Sequence, residues 1–198
     1  MTSRTLILVA GPSGSGKSRL TRLSGLPQLR LDDFYRDEGE EGMPMIEFAG
    51  APIPDWDDPR SWNTDAALEA VRLLMTTGEA TIPKYDISQS RAVGTHTVTV
   101  NSTALIAEGL FAAEMAKACR KAGIDVLAIW LDRHKTTNFL RRFIRDVKGH
   151  RKPVPVLIHR GFELARREQQ LRHDALAAGF VPLTMKEATM AVNSYVGV

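Results

Sequence analysis

Gly11-Pro12-Ser13-Gly14-Ser15-Gly16-Lys17-Ser18 spells the phosphate-binding pattern G-x-x-x-x-G-K-[ST]. It follows Thr5-Leu6-Ile7-Leu8-Val9-Ala10, which reads as a buried parallel strand, and precedes an amphipathic stretch with Leu20 and Leu23 that Gly25 can end. That strand–loop–helix setting is the one in which the pattern carries meaning. Its glycines let backbone N–H groups turn inward around phosphate oxygens, and the helix start adds a fixed partial positive charge. Lys17 can reach the β- and γ-phosphates, and the Ser18 hydroxyl can ligate Mg²⁺. Gly11, Pro12, Ser13, Gly14, Ser15, Gly16, Lys17, Ser18 and Arg19 are therefore expected to bind ATP (or GTP) with Mg²⁺.

The rest of the chain narrows the setting. Its 198 residues fit one domain, 1–198, with a sizeable core. No apolar run approaches the length of a membrane span. The first apolar stretch is too short for a secretory signal and runs straight into the phosphate loop. Cys119 is the sole cysteine, so no intramolecular disulfide can form and a cytoplasmic location is expected. Cys119 lies in a helical stretch, Phe111 to Ala122, and reads as a packing residue rather than a nucleophile. The net charge of +3 hides an asymmetry. Asp32 to Asp65 holds 11 acidic residues against 2 basic ones, whereas Arg133 to Arg172 holds 12 Lys/Arg against 3 acidic residues. A basic segment can mean nucleic acid, but this one has few aromatics and no nucleic-acid motif. Beside a phosphate loop, a basic lid over the triphosphate is the more economical reading.

Strand and helix signals alternate along the chain. A short strand at Gln28 to Leu31 precedes Asp32-Asp33, and the Asp-, Glu-, Gly- and Pro-rich stretch Arg36 to Arg60 reads as a long loop, of the kind that is usually functional or disordered. Asn63 or Thr64 can cap a helix carrying Leu68, Val71, Leu74 and Met75 on one face. Ala80 to Tyr85 and Thr95 to Val100 read as antiparallel strands joined by a loop, the second by its alternating pattern. Ala104 to Ala107 is a buried strand ending at Glu108-Gly109, followed by a helix from Leu110 to Ala122. Ile124 to Leu131 is another buried strand, and helices follow at Lys135 to Val147 and Arg160 to Ala177. This order predicts an α/β fold, an open parallel sheet of the P-loop NTPase type with helices on both faces. A hairpin insertion (80–100) and a basic lid (142–155) would be added to it.

Three clusters bear on the reaction. Asp32-Asp33-Phe34-Tyr35 stands at the carboxyl end of the second strand, where open α/β sheets bind ligands. A carboxylate there can take a proton from an acceptor hydroxyl and help hold Mg²⁺; otherwise it is an acidic exit into a loop. Asp55-Trp56-Asp57-Asp58-Pro59 can offer a carboxylate to both hydroxyls of a ribose, or simply cap the next helix. In Pro83 to Arg91, Tyr85 could stack on a base and Gln89 read its edge, the plain alternative being a solvated hairpin loop.

The order GPSGSGKS, DDFYR, DWDDP, PKYDISQSR, AEGL, RRFIRD resembles the uridine kinase family of P-loop nucleoside kinases, over about Leu6 to Lys152. The resemblance implies Asp32 as general base, and Asp57 as the residue holding the ribose hydroxyls. It implies a base pocket around Tyr85, and Mg²⁺ held by Ser18, Asp32 and Glu108. It makes Arg142 and Arg145, with Lys17, the cations that neutralise the phosphates. Tyr35, Gln89, Arg91 and Arg145 complete the acceptor contacts it implies. Gln89 stands where the family has a histidine, and the lid reads His150-Arg151-Lys152. The implied activity is phosphoryl transfer from ATP to the 5′-hydroxyl of a ribonucleoside, uridine or cytidine first. Nicotinamide riboside kinases share the Asp32-Asp33-Phe34 motif and form the nearest rival; a P-loop ATPase or switch acting on a macromolecule is the rival of another class. The expected partners are a nucleoside and a nucleoside triphosphate, with no membrane or nucleic acid; homo-oligomers are compatible with the sequence.

Overall fold

Strand β1, Thr5–Ala10, alternates its side chains between two cores. Leu6 and Leu8 face one, Ile7 and Val9 the other, and all four are fully buried. A strand buried on both faces needs helices on both sides of its sheet, which is why its sequence is an apolar run rather than an alternation. The computed structural model describes residues 4–12, 14–48, 50–132 and 168–196. Ser13, Arg142, Arg145, Arg151, Lys152 and the helix expected at 135–147 lie outside these residues.

Around β1 runs a parallel sheet in the order β2-β7-β1-β8-β9. The partners are β2 (Gln28–Arg30), β7 (Ala104–Glu108), β8 (Val126–Leu131) and β9 (Val181–Leu183). On one face lie α1 (Lys17–Ser24) and α5 (Met185–Asn193), burying Leu20, Ala188 and Val192 against Ile7 and Val9. The other face carries α2 (Thr64–Thr76), α3 (Ala112–Lys121) and the helical residues 168–177, here α4. Leu74, Met115 and Ala175 pack there against Leu6 and Leu8. Each fully buried Leu, Ile, Val or Met side chain among these contributes about 1.5–3 kcal/mol. The chain leaves β1 in one direction to β2 and returns on the other side to β8, so the sheet order reverses at β1, where a crevice forms at the strand ends.

The helices and buried strands expected within the described residues are present, with shifts of one or two residues at their ends; the helix expected at Arg160 to Ala177 is described only from 168 onward. Asn63 caps α2, its side chain accepting from Ala66 N, and Gly25 ends α1 in the left-handed conformation.

Three regions differ from the sequence reading. Residues 36–60 are not all loop: β3 (Met45–Phe48) and β4 (Ala51–Pro54) form an antiparallel hairpin. Pro52 and Pro54 speak against a strand in sequence, yet proline is tolerated in an edge strand. None of β4 is buried, so no alternation marks it. The second hairpin is longer than expected, with β5 (Glu79–Asp86) and β6 (Arg91–Thr99) joined by only four residues, 87–90. Strand β6 is exposed at every position but Val98, which removes the periodic signal. Finally, β9 and α5 lie beyond the last element expected. The capping box at the start of α5, Thr184 with Glu187, was a legible signal of that helix.

Candidate functional site

The phosphate loop links the end of β1 to α1, and Gly16 is the N-cap of that helix. Lys17 folds back over the loop, donating from Nζ to the carbonyls of Gly11 at 2.7 Å and Pro12 at 3.3 Å. At Gly11 the loop leaves no room for a side chain: a Cβ there would stand 2.9 Å from Ser15 Oγ and 3.1 Å from the Leu131 carbonyl. Ser15 is itself fully buried, and its hydroxyl has no hydrogen-bond partner among the described residues. A tight, cation-bearing concavity with an unsatisfied hydroxyl fits a polyphosphate.

Opposite the loop stands Glu108, at the end of β7, adjacent to β1. Ser18 donates its hydroxyl to Glu108 Oε1 at 3.0 Å, which couples the start of α1 to the neighbouring strand. Asp32 joins them from the 3₁₀ turn Leu31–Phe34 that follows β2. Its Oδ1 accepts the Leu110 N–H at 3.3 Å. Burial is the main cause that raises the Asp32 pKa above the ordinary carboxylate value; Glu108 adds to it, while the Leu110 N–H, Lys17 and Arg30 act in the opposite sense. The three oxygen donors Ser18, Asp32 and Glu108 are the hard ligands that Mg²⁺ prefers.

Gly109 makes that convergence sterically feasible. A Cβ there would fall 2.6 Å from Leu31 Cβ and 2.8 Å from Asp32 Oδ1. The 3₁₀ turn can press onto the β7–α3 connection because position 109 has no side chain. Sequence reading named Glu108 and passed over Gly109; the Glu108-Gly109 pair at the end of a buried strand was the available signal.

These groups line one cleft of about 560 Å³, which also takes in Arg19, Asp57, Trp130 and residues of α3 and α4. Asp57 is separated from its neighbours by role. Asp55 Oδ1 accepts the Asp57 N–H at 3.1 Å, and Asp58 accepts from Arg60 N at 2.8 Å to cap the 3₁₀ turn Pro59–Ser61. The local capping is thus done by Asp58 and Asn63, leaving Asp57 as the exposed carboxylate on the cleft. The Arg60 contact depresses the Asp58 pKa to about 2. Tyr35 lies near both Asp32 and Asp57. Burial, then the charges of these two carboxylates, push its phenol pKa far up. Its hydroxyl donates to the Trp56 carbonyl at 3.2 Å, and its ring meets those of Trp56, Tyr85 and Phe111.

Tyr85, Gln89 and Arg91 are not among the described residues that line this cleft. Tyr85 is 7% exposed and donates its hydroxyl to the Arg36 carbonyl. Gln89 lies in the exposed β5–β6 turn, donating to Asp86 Oδ2 at 2.8 Å and accepting from Arg91 at 3.1 Å. Ser13, Arg142 and Arg145 are outside the described residues. Cys119 is fully buried, with its pKa pushed up by burial to about 11, as a packing thiol should be. Trp130, Glu114, Glu168 and Asp174 line the cleft and were not anticipated; they come from three elements distant in sequence.

A phosphate loop after the central strand of a parallel sheet, with carboxylates from the two neighbouring strand ends facing it, defines a P-loop kinase. The chain belongs to the Phosphoribulokinase / Uridine kinase family, whose profile matches residues 6–153. It is similar to the uridine kinase of Staphylococcus haemolyticus, 27% identical over 166 residues that cover 80% of this chain and 76% of that protein. It is also similar to the uridine kinase of Staphylococcus aureus, 27% identical over 179 residues covering 84% and 80%. Among solved structures, its fold matches a putative fructose transport system kinase from Silicibacter sp. TM1040, with a TM-score of 0.59, 18% identity, and 90% and 86% of the two chains covered. It also matches phosphoribulokinase from Rhodobacter spheroides, with a TM-score of 0.50, 15% identity, and 88% and 68% covered. No helix among the described residues is long and apolar enough to cross a membrane.

Proposed function

We propose that the protein transfers the γ-phosphoryl group of ATP to the 5′-hydroxyl of a ribonucleoside, uridine or cytidine first, as a cytoplasmic salvage kinase. The observation that carries this reading is that Asp32 and Asp57 line the same cleft as the phosphate loop. One carboxylate stands beside the loop and can act on a hydroxyl; the other is exposed and can accept from a pair of hydroxyls.

In this reading the loop amides and Lys17 hold the triphosphate, Lys17 exchanging its carbonyl contacts for phosphate oxygens. Asp57 receives the ribose 2′- and 3′-hydroxyls. Asp32, oriented by Leu110 before any acceptor arrives, takes the proton of the 5′-hydroxyl. That oxygen bonds to the γ-phosphorus, and the bond to the β–γ bridging oxygen breaks, releasing ADP. Burial suits Asp32 to this work because a carboxylate of raised pKa is the stronger base. Mg²⁺, held through Ser18, Asp32 and Glu108, would neutralise charge on the phosphates. Arg142 and Arg145 would add to that neutralisation from a basic lid, 142–155. Hairpin β5–β6 would serve as the insertion on the acceptor side of a single kinase domain.

A second reading has one specific observation in its favour. Tyr85 is largely buried and both ends of the Gln89 amide are engaged within its own turn, so base reading by these two is weakly supported. A site that grips the ribose and leaves the base loosely read suits nicotinamide riboside as well. An acceptor screen with ATP and Mg²⁺ over ribonucleosides, nicotinamide riboside, pantothenate and ribose derivatives tests both readings. Fastest turnover with uridine or cytidine is the expected result. ATP hydrolysis unaffected by every acceptor would refute both and favour a nucleotide-driven switch.

A further inference from the structure

Asp33 is the neighbour of the cleft carboxylate, yet it points elsewhere. It is 1% exposed. Its Oδ1 accepts the Tyr85 N–H of β5 at 3.3 Å. Its Oδ2 is buried with no hydrogen bond among the described residues, and Arg30 Nε is 4.0 Å away on a side chain that is 59% exposed. Tyr85 stands where the β5–β6 ladder shifts register, between Pro83 and Tyr85. Such a bulge re-aims the strand locally.

Three more hydrogen bonds sew the chain after Asp33 to the same hairpin. Tyr85 donates its hydroxyl to the Arg36 carbonyl at 3.1 Å, Ala92 N donates to Asp37 Oδ1 at 2.8 Å, and Glu38 N donates to the Ser90 carbonyl at 2.8 Å. The Asp33 bond is the fully buried one of the four and the one directly beside Asp32. Holding a strand through a buried carboxylate carries a desolvation cost, and a well-packed apolar residue in such a place is often neutral or stabilising by comparison. The residue therefore points to a requirement for fixing the seam in one geometry.

From this juxtaposition we propose that Asp33 is a positioning residue, tying the seating of hairpin β5–β6 to the Asp32 turn so that the acceptor's binding surface is held ready before the acceptor arrives. This rests on the acceptor-kinase reading above. Asp33→Ala removes the acceptor of the Tyr85 N–H. Asp33→Asn keeps an oxygen there and serves as the conservative rescue.

The test combines steady-state kinetics with hydrogen exchange on the substrate-free full-length chain. Asp33→Ala is expected to raise the acceptor KM by about tenfold, the equivalent of one buried hydrogen bond. The KM for ATP should stay unchanged and kcat should change by less than about threefold. Exchange across residues 83–92 should quicken, and Asp33→Asn should restore most of both effects. A folded Asp33→Ala protein with unchanged acceptor KM and unchanged hairpin exchange would overturn the proposal. So would an equal loss in every kinetic parameter that Asp33→Asn fails to rescue, the mark of a merely structural residue. A wild type that phosphorylates no ribonucleoside counts against the acceptor assignment alone; the exchange comparison, made without substrate, then decides Asp33 by itself.

Discussion

Replacing Gly109 with alanine adds one methyl group and should cost both rate and stability. The new Cβ would lie 2.6 Å from Leu31 Cβ and 2.8 Å from Asp32 Oδ1. Against ordinary van der Waals contact the first distance is short by about 0.8 Å and the second by about 0.6 Å. Leu31 is fully buried and its carbonyl is held by Trp62 Nε1 at 2.7 Å, so the 3₁₀ turn cannot yield freely. The softer response is for the Asp32 carboxylate to move away from Leu110, loosening a bond that is already 3.3 Å long. Overpacking of this kind costs about 1–3 kcal/mol. Displacing a reacting group by about 1 Å costs on the order of 10² in rate. Thermal unfolding and steady-state turnover with the preferred acceptor measure the two effects separately. The expected variant is folded, moderately destabilised and slowed in kcat far more than its stability loss explains. An alanine variant with wild-type kcat and an unchanged melting temperature would refute the argument that Gly109 sets the position of Asp32.

Asp32→Asn should lower kcat on the order of 10²–10⁴, with a smaller change in acceptor KM, as single-turnover and steady-state rates would show. The same change should raise the melting temperature at pH 7. The folded-state pKa of Asp32 is raised by burial, so its ionised form opposes folding above that pKa. This penalty shrinks as pH falls and is gone below the unfolded carboxylate value of about 3.9, so the wild-type and variant melting curves should converge in acid. Turnover in the wild type should fall, as pH is lowered, through a limb lying above about 3.9, because protonated Asp32 cannot accept the hydroxyl proton. A kcat/KM profile flat down to that value would count against Asp32 as base. Asp57→Ala should raise the acceptor KM with little change in the KM for ATP, and 2′-deoxyribonucleosides should be poor substrates of the wild type; equal kcat/KM for ribo- and deoxyribonucleosides would remove Asp57 from the acceptor site.

Much of the fold was legible because its central elements carry their own signals. Strand β1 and β7 are apolar runs that only a two-sided sheet can bury, and the phosphate loop marks both the strand before it and the helix after it. The N-cap Asn63 and the helix-ending Gly25 act within a few residues of themselves, so local sequence suffices for them. Elements with little burial left no such trace. No described side chain of hairpin β3–β4 is buried and most of β6 is exposed, and without a buried face there is no period to read.

The candidate site divides in the same way. Lys17, Ser18 and the loop glycines form one continuous motif, and Asp32 and Glu108 stand at strand ends where a parallel sheet places ligands. The motif and the strand-end position nominated Lys17, Ser18 and Asp32 from the residues themselves, while Glu108 was nominated through the family resemblance. Which of two adjacent aspartates faces the cleft was a tertiary decision. Asp32 meets Leu110, a residue 78 positions away in the chain, and Asp33 meets Tyr85, 52 positions away. The same holds for the division of the Asp55–Asp58 turn into caps and a cleft carboxylate. It holds too for Gly109, whose need to be glycine arises only when the 3₁₀ turn after β2 is pressed against it. A side chain's direction depends on which distant groups compete for it, and those partners exist only once the sheet has brought β2, β7 and the hairpin together.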